Sequence, residues 1–210
     1  MKIQSHKFEH LEIQLINIKS DMRVVDLNDL QIWCTEDEFQ QWLSIGSEKR
    51  RLEFAAVRYM LFVNDLKGML YYEEEVPKLK NGVHISVSHS HDWVGLGLCA
   101  SHRIGMDLEL VQEKVARVYE KFIHEDERIT FPKSDLCLIT LLWSFKETIF
   151  KLMRHPGLLF SQDICVFRLE NGIYKAEVSL EHGKFEVPLE HLFFDDYVLT
   201  FNSGDVQKQA

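Results

Sequence analysis

Alternating apolar and polar residues predict several β-strands. The alternation covers residues 12–18, and the segments His84–Ser88, Trp93–Ala100 and Ile104–Leu110 are apolar runs bounded by turn residues. A further strand is predicted at Leu30–Cys34. In the last part of the chain, strands and turns alternate, with strands predicted at Ile164–Leu169, Ile173–Leu180, Phe185–Val187 and Phe193–Phe201.

Capping signals and 3.6-residue periodicity predict helices in the first half. Thr35 and Glu38 have the spacing of a capping box, which predicts a short helix ending near Leu43. Ser47 is the predicted N-cap of a second helix, whose apolar residues recur with the period of one helix face. The segment from Asn64 to Gly68 ends that helix.

The second half also contains helical segments. We predict a helix over Glu113–Phe122 and a short one from Asp126. Ser134 is the predicted N-cap of a long helix that continues through Arg154, and Pro156-Gly157 ends it.

Each half therefore combines at least one long helix with several strands. Residues 71–82 are expected to form an irregular acidic stretch. Short connections between the strands favour antiparallel pairing, so the predicted fold class is α+β. The length of 210 residues fits one large domain or two small packed halves.

The net charge of -9 argues against non-specific nucleic-acid binding. An anionic ligand would therefore need a local basic cluster or a metal ion. The longest apolar stretch, Leu136 to Trp143, is interrupted by Thr140 and is too short to cross a membrane. Because the first five residues also lack the apolar core of a signal peptide, we expect a cytoplasmic protein.

The four cysteines, Cys34, Cys99, Cys137 and Cys165, are widely spaced and form no CxxC pair. None has a histidine nearby at zinc-site spacing. We therefore expect buried free thiols.

Two acidic residues alternate in the strand predicted at Ile104–Leu110. Asp107 and Glu109 should project from the same face, roughly 7 Å apart. Two such carboxylates repel each other, so they need a cation between them or full exposure to solvent. The ordinary alternative is one polar edge of a sheet.

The long helix carries a charged pair at i and i+4, Glu147 and Lys151. Such a pair is commonly a solvated salt bridge, but here apolar residues flank it and it could line a cleft. Together with Asp107 and Glu109, Glu147 would supply three hard oxygen ligands. That set suits Mg²⁺, which completes its coordination with phosphate and water. These residues predict a Mg²⁺–phosphate site and no particular reaction.

Two other segments are candidates for phosphate contacts. His89, between Ser88 and Ser90 at a strand end, could donate to a phosphate or cap local carbonyls. The run Lys49-Arg50-Arg51, with Arg58 two turns later, could hold a second phosphate or form a solvated helix face.

The ordered set of these segments resembles the Sfp-type 4′-phosphopantetheinyl transferases. That family has a Gly-x-Asp-x-Glu strand and a Trp-Ser/Thr-x-Lys-Glu-x-x-x-Lys helix, which correspond here to Gly105–Glu109 and Trp143–Lys151. Its Ser-His-Ser element and basic helix start correspond to Ser88–Ser90 and Glu48–Arg51. The resemblance covers roughly residues 45 to 170.

The resemblance implies a pseudo-dimer of two similar halves, each a small, mostly antiparallel sheet packed on a long helix, with the active site between them. Residues 1–100 would form the coenzyme A nucleotide side. Residues 101–210 would carry the metal-binding strand and the Trp-Ser-x-Lys-Glu helix. Pairing of the halves within one chain makes a monomer the expected state.

The resemblance also implies roles for individual residues. Asp107, Glu109 and Glu147 would hold Mg²⁺ against the coenzyme A diphosphate, which His89 and Lys151 would contact. The 3′-phosphate would meet Arg51 or a neighbour in the basic run, and the secondary ligand contacts would be Lys146 and Ser88, with Glu127 as a weaker candidate. The family's Gly-Lys-Pro before the Ser-His-Ser strand is replaced by Glu75-Val76-Pro77-Lys78, so Lys78 receives no site role.

The implied activity is that of a holo-[acyl-carrier-protein] synthase type of transferase. It would move phosphopantetheine from coenzyme A to a serine of an apo acyl or peptidyl carrier protein. Either Glu147 or a metal-bound hydroxide would take the serine proton, and Lys151 would stabilise the departing phosphate. The carrier would dock on Arg117, Lys121 and Phe122, unless these form an ordinary solvated helix. Alternatives are another Mg²⁺-dependent phosphodiesterase and an inactive carrier-binding homologue.

Overall fold

The computed structural model describes residues 2–22, 25–170 and 172–209. The chain divides into two compact units, Met1–Ser101 and His102–Ala210, and each contains a hydrophobic core of its own. Strands in both units pair antiparallel and helices pack on the sheets. The predicted α+β class with antiparallel sheets is therefore confirmed.

Among its described residues, the first unit contains a four-stranded sheet, a hairpin and four helices. Its helices are α1 (Ile18–Asp21), α2 (Leu27–Trp33), α3 (Glu36–Ser44) and α4 (Glu48–Val63). Its strands are β1 (Gln4–Lys7), β2 (Leu11–Asn17), β3 (Leu70–Glu73), β4 (Val76–Leu79), β5 (His84–Ser90) and β6 (Trp93–Cys99). The sheet order is β1-β2-β6-β5, and β3 pairs with β4. Met60 of α4 and Leu96 of β6 belong to the same buried core.

The capping signals of the first unit were predicted correctly. The Thr35 side chain accepts from the Glu38 backbone N–H, and the Glu38 carboxylate accepts from the Thr35 N–H at 2.9 Å. Ser47 caps α4 by accepting from the Arg50 N–H. These side chains satisfy backbone donors that a helix N-terminus leaves without intrahelical partners, so each fixes where its helix begins.

The prediction of a strand at Leu30–Cys34 is wrong, because this segment lies in and just after helix α2. The Asp26 carboxylate accepts from the Asp29 N–H at 2.8 Å and thereby starts the helix. Leu30 and Trp33, three residues apart, are the buried positions. This spacing fits one helix face better than a strand.

The prediction of an irregular stretch at residues 71–82 is also wrong, because most of it forms the β3–β4 hairpin. Glu74 and Glu75 form the two-residue turn, with φ of 49° and 65°. Turns of this kind usually carry Asn or Gly, since those residues adopt positive φ most easily. The two glutamates therefore gave no turn signal in the sequence.

In the part of the second unit that the structure describes, a six-stranded sheet is accompanied by two α-helices and a short 3₁₀ helix, Glu125–Glu127. The α-helices are α5 (Lys114–Phe122) and α6 (Leu136–Met153). The strands are β7 (Met106–Leu110), β8 (Ile164–Arg168), β9 (Tyr174–Leu180), β10 (Gly183–Phe194), β11 (Tyr197–Asn202) and β12 (Gln207–Lys208). The order is β7-β11-β10-β9-β8, with β12 paired to β10. Helix α6 packs on β7 and β11, so β7 is an edge strand covered by α6.

Helix α6 begins one residue later than predicted. Asp135, and not Ser134, is its N-cap, and the Asp135 carboxylate accepts from the Leu138 N–H at 3.0 Å. Although α6 is the most apolar long helix, no helix in the described ranges combines the length and apolar character needed to cross a membrane.

Strand β10 is longer than predicted. The prediction stopped at Val187, but β10 continues through Pro188, which cannot donate a backbone hydrogen bond. Pro188 lies between the stretch of β10 that pairs with β12 and the stretch from Leu189 that pairs with β11. The segment predicted as one strand from Phe193 is interrupted by a tight turn, in which Asp195 has φ of 47°.

Three of the four cysteines are buried, as predicted, namely Cys34, Cys99 and Cys165. The prediction is wrong for Cys137, which is exposed. Cys137 is the second residue of α6, and the buried residues of that helix begin at Ile139.

Gly105 allows the chain to approach α6 closely just before β7. A Cβ on this residue would lie 2.2 Å from the Thr148 carbonyl oxygen and 2.9 Å from Leu152 Cβ. The Gly105 N–H donates to Asn202 Oδ1 at 2.8 Å, which fixes the same segment to the end of β11. A larger residue at position 105 cannot be accommodated without moving β7 away from α6.

We therefore predict that Gly105→Ala lowers the free energy of unfolding by about 1–3 kcal/mol, the usual cost of overpacking. Gly46→Ala is the matched control, because a Cβ there meets no atom within 4 Å. Urea unfolding of both variants is the measurement. Equal midpoints for the two variants would contradict the proposed close packing.

Candidate metal and phosphate site

Strand β7 and helix α6 bring four predicted site residues into one region. Asp107 and Glu109 on β7 both accept hydrogen bonds from side chains of α6. Glu147 and Lys151 belong to the same helix. Acidic and basic side chains are therefore concentrated where the edge of the second unit's sheet meets α6.

Asp107 is held at both carboxylate oxygens and is only 4% exposed. Its Oδ1 accepts from Lys151 Nζ at 2.7 Å, and its Oδ2 accepts from Ser144 Oγ at 3.0 Å. Lys151 Nζ also donates to the Met106 carbonyl at 3.0 Å. These contacts fix the orientation of the Asp107 carboxylate.

Buried hydroxyl groups of α6 and β11 form a hydrogen-bond network with the Asp107 carboxylate. Thr200 of β11 lies directly opposite Asp107 in the strand pairing. Its hydroxyl is 2.9 Å from Ser144 Oγ and 2.7 Å from Thr148 Oγ1, and all three of these hydroxyl residues are fully buried. This network orients Ser144 toward Asp107 and ties β11 to α6, so it restricts the position of the carboxylate.

Glu109 is oriented by an indole. Trp143 Nε1 donates to Glu109 Oε1 at 3.0 Å. The Trp143 ring packs against Phe122 and Phe160, with centroid distances of 5.2 and 5.6 Å, so the donor itself is held in place. A cavity of about 160 Å³ lies beside this pair, and its apolar wall includes Val115 and Val118 of α5.

Glu147 is strongly affected by its surroundings. Burial, and then the charges of Asp107 and Glu109, raise the pKa of the Glu147 carboxyl from 4.5 to about 7, although Lys151 opposes the rise. The charges of Asp107 and Glu109 are therefore close enough to disfavour ionisation of Glu147. A cation near Glu147 would relieve this repulsion.

The structure argues against the predicted ligand contact of Lys146. Its side chain is fully buried, and Nζ donates to the carbonyls of Phe122, Phe160 and Ile164 at 2.7–3.0 Å. The same Nζ is 2.7 Å from Glu127 Oε2. An ammonium that is surrounded by four acceptors inside the core stabilises the fold.

Glu127, the weaker candidate, is the partner of Lys146 and has no exposed surface on its side chain. Besides that ion pair, its carboxylate accepts from the N–H groups of His124 and Val166, each at 2.7 Å. Burial raises the pKa of Glu127, while Lys146 and these backbone donors oppose the rise. We therefore assign Glu127 and Lys146 to a buried ion pair that joins α6, the 3₁₀ helix and β8.

The predicted docking residues separate into two groups. Arg117 and Lys121 are exposed on α5, four residues apart. Phe122 is fully buried, and its ring packs against Tyr119 and Trp143. The prediction that Phe122 contacts a carrier is wrong, because its side chain belongs to the core of the second unit.

Three predicted site residues belong to the first unit. His89 is exposed on β5, with Nδ1 3.7 Å from Glu53 Oε1, and Ser88 is buried beside it. Arg51 Nε donates to the Ile45 carbonyl and its Nη2 to the Leu43 carbonyl at 3.4 Å. These two carbonyls lie at the end of α3, so the Arg51 guanidinium caps that helix.

Neither Arg58 nor Lys78 adds to a phosphate site in this structure. Arg58 is buried and pairs with Glu38 at 3.2 Å, and its guanidinium lies 3.7 Å from the centre of the Phe54 ring. Lys78 pairs with Glu73 across the β3–β4 hairpin.

Comparison with known proteins identifies what this arrangement resembles. Residues 103–202, just under half of the chain, match the model of the 4′-phosphopantetheinyl transferase superfamily. The resemblance to the phosphopantetheinyl transferases is confirmed. The chain is also similar to the 4′-phosphopantetheinyl transferase gsp of Aneurinibacillus migulanus, with 27% identity over 128 residues that cover 55% of this chain. The match covers 53% of that protein, so the chain spans about half the length of the curated relative.

The matched region contains the whole β7–α6 site. Asp107, Glu109, Glu147 and Lys151 lie inside it, whereas Arg51, Ser88 and His89 lie outside. The roles of all seven in coenzyme A or metal binding stay predictions.

The sequence interpretation missed the residues that orient the carboxylates. Trp143 and Ser144 were part of the phosphopantetheinyl transferase resemblance but had no physical role, and Thr148 and Thr200 were not identified. Ser144 and Thr148 are i and i+4 on α6, which places two hydroxyls on one helix face. Thr200 gave no signal, because its contact with Asp107 depends on strand pairing across more than 90 residues.

We predict that Lys146→Met lowers the free energy of unfolding by about 3–5 kcal/mol, because it leaves the Glu127 carboxylate buried without its cation. Lys175→Met is the matched control, since the Lys175–Glu186 pair is about one third exposed and should contribute about 1 kcal/mol or less. Urea unfolding measures both. A similar loss in both variants would show that burial does not distinguish the two pairs.

We also predict a pH-dependent effect of Glu147 on metal-free stability. The folded pKa of about 7 exceeds the ordinary 4.5, so the stabilising contribution of protonated Glu147 is complete below about pH 4.5 and is lost as pH rises through about 7. Glu147→Gln cannot ionise. Its free energy of unfolding relative to wild type should therefore increase by about 1–3 kcal/mol between about pH 5 and 8.

The measurement is urea unfolding with a chelator present, at several pH values. Glu190→Gln is the control, because it makes the same change at an exposed position on β10. A pH-independent difference between Glu147→Gln and wild type would show that the Glu147 carboxyl titrates in its ordinary range.

Proposed function

We propose that this chain is a Mg²⁺-dependent 4′-phosphopantetheinyl transferase that moves phosphopantetheine from coenzyme A to a serine of an apo acyl or peptidyl carrier protein. The observation that carries the proposal is the oriented carboxylate set of β7 and α6 inside the superfamily match. Free cysteines are typical of proteins in the reducing cytoplasm, where we place the enzyme. We propose that it acts as a monomer.

The residues present fit Mg²⁺. Asp107, Glu109 and Glu147 offer the hard oxygen donors that Mg²⁺ prefers, and Ser144 and Lys151 orient the Asp107 carboxylate. Burial and then the charges of Asp107 and Glu109 raise the pKa of Glu147, which supports placing the three carboxylates at one site. When bound, Mg²⁺ would neutralise charge on the coenzyme A diphosphate and on its leaving group.

The reaction forms a bond between the carrier serine Oγ and the β-phosphorus of coenzyme A. The bond from that phosphorus to the bridging diphosphate oxygen breaks, and adenosine 3′,5′-bisphosphate leaves. Glu147 is the base that this chain offers for the serine proton, because its carboxylate lies on α6 within the electrostatic reach of Asp107, Glu109 and Lys151. Lys151, whose Nζ is beside Asp107, would stabilise the developing charge on the departing phosphate.

The first unit would supply contacts to the coenzyme A nucleotide, through residues 1–100, while residues 101–210 supply the metal site. His89 is exposed and can donate to the diphosphate, with Ser88 as a secondary contact. Arg51 is committed to the α3 carbonyls. The exposed neighbour Arg50 is therefore the better candidate for the 3′-phosphate in this run.

The carrier would approach the second unit near α5. Arg117 and Lys121 form an exposed basic pair on this helix, suited to an acidic partner. Val115 and Val118 of the same helix line the 160 Å³ cavity beside Glu109. An aliphatic amide chain such as the pantetheine arm fits an apolar wall that lies next to the reacting groups.

The decisive experiment incubates the protein with coenzyme A, Mg²⁺ and an apo carrier protein, followed by mass spectrometry of the carrier. We expect the carrier to gain the phosphopantetheine group, and we expect Glu147→Gln to reduce the rate at least about 100-fold. Glu190→Gln is the matched control, because it makes the same change on an exposed strand position.

The other outcomes identify the alternative functions. Hydrolysis of coenzyme A without gain of mass by the carrier would indicate a Mg²⁺-dependent phosphodiesterase. A carrier complex without chemistry would indicate an inactive homologue. Full transfer by a folded Glu147→Gln variant would remove Glu147 from the mechanism.

A further inference from the structure

Three donors of different chemistry converge away from the β7–α6 site. A ring nitrogen of His124, a carboxylate oxygen of Asp126 and Sγ of Cys165 all lie within 4.8 Å of one another. His124 and Asp126 are at the start of the 3₁₀ helix, and Cys165 is on β8. Two separate elements of the second unit therefore contribute to this group.

The backbone around these donors is fixed by the buried Glu127. Its carboxylate accepts from the His124 N–H and from the Val166 N–H, each at 2.7 Å. His124 is itself one of the donors, and Val166 follows Cys165. The ion pair with Lys146 anchors Glu127 in turn, so the two elements are held in register before any ligand binds.

The residue at the N-cap is unusual for a purely structural role. Nδ1 of His124 accepts from the Asp126 N–H at 3.2 Å, a task that Ser, Thr, Asp or Asn usually performs. Nδ1 is also 3.6 Å from Asp126 Oδ2. An imidazole is larger than capping requires, and it supplies the side-chain nitrogen that binds transition metals most often.

The surroundings favour a cation. A cavity of about 220 Å³ adjoins the three donors, and its wall also includes Asp163, Glu177 and Lys184. With Asp126, the cavity lining has three carboxylates and one ammonium, which makes the local charge negative. The Asp126 side chain is 71% exposed, so it can move toward a bound ion.

We propose that His124, Asp126 and Cys165 form a binding site for Zn²⁺ or a chemically similar transition-metal ion. Imidazole nitrogen, thiolate sulfur and carboxylate oxygen are the ligands that Zn²⁺ takes, whereas Mg²⁺ does not select thiolate. Ligand atoms of a tetrahedral zinc site lie about 3.5 Å apart, so the group must contract by about 1 Å. Water or one of the neighbouring carboxylates completes the coordination.

Binding requires one covalent change in the protein. Cys165 Sγ loses its proton to solvent as the metal–sulfur bond forms. Burial, followed by the charge of Glu127, raises the pKa of this thiol to about 12, so the metal must displace the proton. The bound ion would join the 3₁₀ helix to β8, the same two elements that the Glu127 carboxylate links. This role does not depend on the proposed transferase activity.

The test uses the full chain, stripped of metal and titrated with Co²⁺ as a spectroscopic substitute for Zn²⁺. We expect one equivalent of Co²⁺ to produce a thiolate-to-cobalt charge-transfer band, and Zn²⁺ to abolish that band by displacement. The absence of a charge-transfer band in the wild-type protein would overturn the proposal.

Substitutions identify the ligands. Cys165→Ser should remove the band, whereas Cys137→Ser, at an exposed cysteine on α6, should leave it unchanged. His124→Ser keeps an N-cap side chain and should weaken Co²⁺ binding at least about tenfold. Circular dichroism verifies that each variant is folded, and titration of the Asp107→Asn variant with Co²⁺ should give the wild-type charge-transfer band, because Asp107 is not a ligand of this cluster.

Loss of the band in Cys137→Ser, or its survival in Cys165→Ser, would overturn the assignment. So would unchanged Co²⁺ affinity in His124→Ser. If Cys165→Ser fails to fold, the comparison of wild type, Cys137→Ser and His124→Ser still decides between the cluster and adventitious binding.

Discussion

The close packing of α6 on β7 is the constraint on which the candidate site depends. Gly105 leaves no space for a Cβ against the Thr148 carbonyl, so the strand and the helix approach each other as closely as backbones allow. Only at this separation can the short Ser144 side chain reach Asp107 and the Lys151 ammonium reach the other oxygen of the same carboxylate. A small shift of the strand would separate these partners, because hydrogen bonds weaken steeply with distance and angle.

Helix α6 serves the core and the site through adjacent residues. Lys146 is fully buried and binds Glu127, whereas Glu147, the next residue, is near Asp107 and Glu109. Successive helix positions are about 100° apart, so the two side chains point in different directions. The buried ion pair fixes the rotation of α6 about its axis, and that rotation determines where Glu147 and Lys151 project.

Local signals in the sequence were sufficient to predict most helices and strands and to select the acidic residues as site candidates. Thr35, Glu38 and Ser47 act on backbone groups within one turn, and the alternation of Asp107 and Glu109 requires only a strand. The wrong secondary-structure predictions also had local causes. Glu74 and Glu75 form a turn although glutamate rarely adopts positive φ. Helix α2, which contains Leu30, is too short to show a helical period in the sequence. By contrast, the burial of Lys146 depends on three carbonyls and a carboxylate from other segments, which sequence spacing does not show.

Electrostatics connects these separate contacts to the proposed chemistry. Burial is the main cause of the raised pKa of Glu147, the charges of Asp107 and Glu109 raise it further, and Lys151 opposes the rise without cancelling it. If nearby cations cancelled the charges of Asp107 and Glu109, a divalent cation would gain less by binding there. The imbalance instead favours a divalent ion, and the hydroxyls of Ser144, Thr148 and Thr200 hold Asp107 in place against the repulsion. The same contacts that stabilise the sheet edge thus maintain a negative region suited to a metal-bound diphosphate.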